Sequence, residues 1–397
     1  MIKKLTYFLI ILLAMACGHQ GQQSQQEIAE NVETIQFKFD GKNPTYDEVF
    51  SKTEIIPLET NEDCLINTIN QMEVWDGKFF ILDWKQNTLL VFSDQGKYLN
   101  KIGSIGKGPG EYIRPRYFFI DKEKKLVNIF DAPMKKLMCF RQTGELIKEI
   151  HLDNYLHAVG KTASGYWGFC SNQKNKNVDY EASKYVKFMT FNAKGDVEKY
   201  VKGEKCIDQL NYGNNYIPNT ADGGVSFVEP YAPHIYMMKD GEISVKYKID
   251  YSGRFPSKSM LKRIEDMDDS LSASERKMKK DLSTKYHSMF QTFFETPEWI
   301  QLFTGSKGTT LFYNKKTHRT HEFSTVLAAE NSWETYFVSP VCMKDNVVYG
   351  QATELFLQYL YRDKDKFTAQ RLESLKQVFD NLKAEDNPFI IKYTLKN

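Results

Sequence analysis

The feature that most constrains the fold is a spacing. Turn glycines at Gly96, Gly144, Gly195 and Gly241 stand 48, 51 and 46 residues apart, each just before a short run of strand-forming residues. A period of that length fits one four-stranded sheet per repeat, arrayed around an axis. The unit is complete at its first appearance. Met72 to Asp83 reads as a strand, an Asp76-Gly77 turn and a second strand, and Thr88 to Leu99 as a further hairpin turning at Asp94-Gln95-Gly96. The pattern returns from Tyr117 to Ile150, from Tyr166 to Val197 and from Val225 to Ile243; two more units start near Trp299 and Tyr336. Six units make an all-β, six-bladed β-propeller. An open β-sandwich is the competing arrangement, but it gives the steady period no cause.

A ring must close, or its first and last sheets keep bare edges. Glu54 to Thr60 is a strand with no hairpin partner of its own, and Pro57 suits an outer edge. Phe389 to Leu395 is a second lone strand at the other end of the chain. The N-terminal strand is therefore expected to complete blade six, outside the C-terminal one. Two stretches break the β pattern. About 257–288 is rich in Lys, Glu, Asp, Ser and Met, and about 353–385 carries Leu372, Leu375, Phe379 and Leu382 at helical spacing. Both are expected to be helical insertions on one face, the first between blades four and five, the second between the middle strands of blade six.

The start of the chain reads as an address. Lys3 and Lys4 precede an apolar run from Leu5 to Ala16, too short to span a bilayer, and small residues lead to Cys17. Ala14-Met15-Ala16-Cys17 resembles a bacterial lipobox, with Ala where Leu is commoner. Residues 1–16 are then a signal peptide, Cys17 the lipidated first mature residue, 17–35 a polar tether and 36–397 the propeller. The alternative is a secretory signal cut near Ala16 with an incidental cysteine. No acidic residue follows Cys17 in Gly18-His19-Gln20-Gly21, which points to an outer-membrane anchor facing the periplasm rather than to surface display.

Charge and cysteines exclude more than they assign. Without Lys3 and Lys4 the 53 basic residues fall to 51 against 51 acidic ones, so a nucleic-acid partner has no electrostatic support. Cys64, Cys139, Cys170, Cys206 and Cys342 are widely spaced and odd in number, so they suggest buried thiols, with room for one bridge, and show no metal-ligand spacing.

If strands run from axis to rim, the tight Asp-Gly turns lie on one face and the long loops on the other, where binding usually resides. That face is expected to carry Asp83 and Asp131 at strand ends, Glu111, Tyr112, Arg114 and Arg116 on the glycine-rich stretch Gly103 to Arg116, and Glu229, Tyr231 and His234 in a loop of blade four. Arg114 and Arg116 flank Pro115, so in extended chain they point the same way and suit a carboxylate, phosphate or acidic sugar. The competing role is structural, with either arginine pairing to Asp83, Asp131 or Glu111. The glycine stretch is no phosphate cradle: Pro109 removes an amide, no Lys-Ser or Lys-Thr follows, and no helix begins. Its glycines are expected to let the chain cross between blades, with Glu111 capping amides. His318 and His321, three apart on a strand, face opposite ways and make a poor metal pair.

Ile56-Pro57-Leu58-Glu59-Thr60, Val91 to Lys97 and Ile105-Gly106-Lys107-Gly108-Pro109-Gly110-Glu111-Tyr112 resemble the six-bladed β-propeller lipoproteins of anaerobic Gram-negative gut bacteria, a family distantly similar to NHL-repeat proteins. The resemblance covers nearly all of the mature chain and weakens past Ser257. It implies a fold and an envelope location, and carries over no catalytic residue. The expected function is a lipid-anchored binding module for a glycan, peptide or envelope protein, with no cofactor. The alternative is an enzyme like the six-bladed lactonases and lyases, holding calcium or another metal on the axis, with Asp83, Asp131 and Glu229 as its acidic residues.

Overall fold

A computed structural model describes residues 32–38, 44, 46–170, 174–176, 178–183, 185–203, 224–229, 232–266, 272–286, 290–304, 308–324, 338, 340–353, 356 and 386–396. Cys17, Tyr231, Cys206, nearly all of the expected 353–385 insertion and the whole signal and tether up to residue 31 lie outside the described residues.

Six four-stranded sheets follow one another around a ring. Blade one is β3 (Gln71–Trp75), β4 (Lys78–Asp83), β5 (Thr88–Ser93) and β6 (Tyr98–Ile102). After the small parallel pair β7 (Ser104–Ile105) and β8 (Glu111–Tyr112), blade two is β9 (Pro115–Asp121), β10 (Leu126–Asp131), β11 (Lys136–Phe140) and β12 (Leu146–His151). Blade three is β13 (Ala158–Lys161), β14 (Gly165–Phe169), β15 (Val186–Asn192) and β16 (Val197–Lys202). Blade four contains β17 (Val225–Val228), β18 (His234–Lys239) and β19 (Glu242–Asp250). Blade five is β20 (Phe290–Glu295), β21 (Trp299–Thr304), β22 (Thr309–Asn314) and β23 (Arg319–Ser324). Blade six holds β24 (Pro340–Lys344), β25 (Val347–Ala352) and β26 (Phe389–Leu395).

The ring closes as the lone strands require. Strand β2 (Phe50–Ile56), entered from the short helix α1 (Tyr46–Val49), pairs antiparallel with β26, setting Ile55 opposite Ile391 and Ile56 opposite Ile390. Blade six thus takes its outermost strand from the N-terminal region, which ties the two ends of the chain into one sheet. The strand ends at Ile56, and Pro57 begins the crossing to blade one.

One feature departs from expectation. Residues 34 and 35, expected in the tether, belong instead to a strand, β1 (Thr34–Gln36), lying parallel to β19 with Ile35 opposite Ile249. Ile35 and Phe37 are fully buried, and Phe37 stacks on Tyr251 at 5.2 Å between ring centroids. Their alternation with Gln36 and Lys38 is a period-two pattern that pays its way by burial on one face.

Strands buried on both faces explain why the core is a set of layers between blades rather than one central mass. In β4, Phe79 and Ile81 face blade six beside Tyr349 and Ile390, whereas Phe80 and Leu82 face blade two beside Phe118 and Ile129. Each such side chain contributes about 1.5–3 kcal/mol when fully buried. The expected 257–288 insertion contains α3 (Lys258–Glu265) and α4 (Ala273–Lys285), the latter started by a Ser272–Glu275 capping box, after the single-turn α2 (Tyr180–Ser183) in blade three. Cys64, Cys139, Cys170 and Cys342 are buried and unbridged.

Candidate functional site

The aspartates at the ends of β4 and β10 do the same structural job twice. Asp83 is fully buried; its Oδ2 accepts the amides of Asn67 (2.6 Å) and Thr68 (3.2 Å), and its Oδ1 those of Lys85 (2.8 Å) and Gln86 (3.1 Å). Asp131 is equally buried; its Oδ2 accepts the amides of Ile113 and Arg114 (3.0 Å for the latter), and its Oδ1 that of Met134 (3.1 Å). Each carboxylate staples the segment entering a blade to the loop between that blade's middle strands. Their oxygens are engaged by backbone amides, a scaffold role that the sequence expectation of a ligand group does not include.

The glycine-rich stretch is closed on itself. Gly106 N donates to Tyr112 O (3.0 Å), Gly108 N to Glu111 Oε2 (2.8 Å) and Gly110 N to Glu149 Oε1 (2.9 Å). Glu111 is thus an amide cap, as read from the sequence, and these three amides are not aimed at a phosphate. Tyr112 is fully buried and donates its proton to Ile102 O (2.8 Å); burial pushes its hydroxyl up to about 12. It supports the loop and does not reach solvent.

The arginines emerge differently. Since Asp83, Asp131 and Glu111 are engaged by backbone amides, the expected pinning of blade one to blade two by an arginine ion pair does not occur. Among the described residues neither Arg114 nor Arg116 reaches a carboxylate. Arg114 is exposed and Arg116 half-buried, with the Arg116 guanidinium carbon 5.1 Å from the centre of the Trp84 ring. Trp84 is held in place by its Nε1–H, which donates to Arg116 O (3.1 Å), and by its amide, which donates to Asn70 Oδ1 (2.7 Å). Partial burial and then the neighbouring Arg114 charge lower the Arg116 pKa, so the two cations feel each other. A pair of guanidiniums, one lying over an indole, is a surface suited to a planar anion.

The remaining candidates do not join this pair. Glu229 Oε1 lies 2.5 Å from Lys187 Nζ, both side chains nearly excluded from solvent, so it bridges blades three and four. Lys187 was missed by sequence reasoning, although a lysine between Val186 and Phe188 in an apolar strand is the available signal. His234 starts β18, with Nδ1 3.2 Å from the Tyr236 hydroxyl. His318 sits in the turn after β22, where its Nδ1 meets the Tyr313 hydroxyl at 2.7 Å, while His321 lies on β23 beside Trp299. Among the described residues no three of His, Cys, Asp and Glu converge as metal ligands. No described helix is long and apolar enough to cross a membrane.

The chain is similar in fold to a protein described as exported from Bacteroides fragilis, with a TM-score of 0.70 and 18% identity over 92% of this chain and 100% of that one. A member of the DUF4221 family from Bacteroides vulgatus matches with a TM-score of 0.53 and 12% identity, covering 88% of this chain and 97% of that one. A virginiamycin B lyase from Staphylococcus aureus matches with a TM-score of 0.39 and 14% identity over 75% of this chain and 80% of that one, too distant to carry chemistry across. No curated protein matches the chain. Residues 22–350 match the DUF5128 family, described as 6-bladed beta-propeller, and the chain belongs to that family.

Proposed function

We propose that the chain is a cell-envelope binding module, held at the membrane by a lipid on Cys17, whose loop-rich face takes a carboxylate-bearing ligand between Arg114 and Arg116. The observation that carries this reading is that, among the described residues, neither guanidinium pairs with a carboxylate while Asp83, Glu111 and Asp131 accept backbone amides. The acidic residues that would serve a metal-dependent enzyme are instead committed to amides, or in the case of Glu229 to Lys187.

Calorimetry with an oligogalacturonate and its methyl ester tests the reading. The acid should bind and the ester should not, and Arg114→Gln or Arg116→Gln should each weaken binding about tenfold, as expected for loss of a charge-assisted hydrogen bond. Equal binding of acid and ester, or an Arg114→Gln/Arg116→Gln double variant with undiminished affinity, defeats it. The anchor is tested separately: Cys17→Ser should move the protein from the membrane fraction to the soluble one.

A further inference from the structure

Blades one and two can be superposed in register, and the comparison exposes a gap. Five residues beyond the stapling Asp131 stands Lys136, buried, with its Nζ 2.8 Å from Glu149 Oε1. Five residues beyond the stapling Asp83 stands Thr88. On the neighbouring strands Met138 faces Glu149 and, at the matching place, Leu90 faces Lys101. Blade two therefore fills this position with its own ion pair. Blade one replaces the long lysine by a threonine and the carboxylate by an ammonium, and a cavity of about 210 Å³ opens there.

The lining says what kind of group is missing. Asn87 Oδ1 is buried and has no hydrogen-bond partner among the described residues, and Thr88, only 9% exposed, turns its hydroxyl toward that of Tyr112. The Tyr112 hydroxyl gives its proton to Ile102 O and its oxygen accepts from Thr88, so an incoming carboxylate competes with Tyr112 for the Thr88 proton. Lys101 lines one side of the cavity; Glu62 and Asp63 also line it, and all three side chains are exposed and make no ion pair among the described residues. Two aliphatic side chains complete the wall, Leu65 at 46% exposure and Ile105 at 64%. Exposed aliphatic groups beside an unsatisfied buried polar atom mark a surface awaiting an occupant.

We propose that this cavity binds a small zwitterion of the size of an aliphatic α-amino acid. Its carboxylate meets Lys101 and the Thr88 hydroxyl, its ammonium meets Glu62, Asp63 and Asn87 Oδ1, and its side chain covers Leu65 and Ile105. The occupant thus restores from outside the opposite charges that blade two supplies internally. This site is separate from the arginine pair and does not depend on it.

Ligand-detected NMR titration of the purified protein with L-leucine, N-acetyl-L-leucine and L-leucinamide tests the assignment. Leucine should bind at about 1–10 mM, as befits so few atoms. Removing either charge should weaken binding about two- to fivefold, the range for solvent-exposed ion pairs. Lys101→Gln should weaken leucine and N-acetyl-leucine but leave leucinamide unchanged; Glu62→Gln with Asp63→Asn should do the reverse. All three positions are exposed, so these variants fold. Arg114→Gln should leave leucine binding as it was, which separates this proposal from the carboxylate site. No detectable leucine binding, equal binding of the three probes, or indifference to both sets of substitutions overturns it.

Discussion

Replacing Asp131 by asparagine tests whether the buried aspartates are staples. The carboxylate accepts three amides, two on Oδ2 from Ile113 and Arg114 and one on Oδ1 from Met134. Asparagine keeps one acceptor oxygen. If it stays with the pair of amides, the side-chain NH₂ faces the Met134 amide, so one charge-assisted bond is lost and two donors oppose each other. A bond to a charged group contributes about 1.5–3 kcal/mol, and a stranded buried donor costs about 1–3 kcal/mol, so the expected loss is about 2.5–6 kcal/mol. Asp131→Ala strands all three amides and should cost more. Against a typical total of about 5–15 kcal/mol, this is readily seen as a lower midpoint in urea followed by tryptophan fluorescence. Because the stapled segment carries Arg114, binding of an acidic ligand should weaken as well. An Asp131→Asn variant within about 0.5 kcal/mol of the parent, a change typical of an uninvolved surface site, refutes the staple.

Gly96 provides a test of ring closure. It has φ +82, and a Cβ there would lie 1.9 Å from Pro57 O, where the closing strand leaves blade six, whereas Gly77 (φ +64) has its nearest such neighbour at 3.8 Å. Gly96→Ala should therefore lower the thermal midpoint much more than Gly77→Ala, which carries only the left-handed cost of about 1–2 kcal/mol; equal losses would show that the seat of Pro57 is soft. For Glu295, burial raises the pKa, but hydrogen bonds from Lys246, Lys315 and Tyr247 outweigh it and hold the carboxyl below 4.5; Glu149 is held down likewise, by Lys136 and Gly110 N–H. A depressed carboxyl contributes stability above its unfolded pKa and loses it as pH falls through the folded one. Stability should thus drop below about pH 4.5, and the deficit of Glu295→Gln relative to the parent should shrink there; a deficit that stays constant with pH refutes the pairing. Burial raises the thiols of Cys64 and Cys342 and takes Cys139 to about 11, so these three should resist Ellman's reagent until the protein unfolds; rapid labelling of them in the native protein contradicts their placement.

The ring was legible because its signals are local and repeated. Turn glycines at a steady interval, and two strands lacking partners at Glu54 to Thr60 and Phe389 to Leu395, suffice to count blades and close them. The short strand Thr34–Gln36 was overlooked because three residues beside a polar stretch give a weak pattern, and its parallel partner lies more than 200 positions away. The amide contacts of Asp83 and Asp131 and the Lys187 partner of Glu229 were not legible for a different reason. An aspartate at a strand end looks the same in sequence whether it faces a ligand or a row of backbone amides, since the amides carry no letter of their own. The arginines were read in the right orientation, but their freedom depended on where those carboxylates went.

Comparing repeats separates scaffold from function within a single chain. The staples make Arg114 equivalent to Thr68 and Arg116 to Asn70, because Asp131 accepts the Ile113 and Arg114 amides as Asp83 accepts those of Asn67 and Thr68. At this place blade one is neutral, and Asn70 spends its side-chain oxygen on the Trp84 amide. The blade architecture therefore stands without cations there, and it is at this place in blade two that the proposed carboxylate site has its two guanidiniums. Thr88 and Lys101 depart from Lys136 and Glu149 in the opposite sense, where the chain gives up a half-buried ion pair and leaves the Asn87 oxygen without a partner among the described residues. Breaking such a pair costs stability unless another group restores it. Both departures flank the segment from Ile102 to Arg116, so the stretch that joins the first two blades is also where the molecule stops repeating itself and starts to present chemistry.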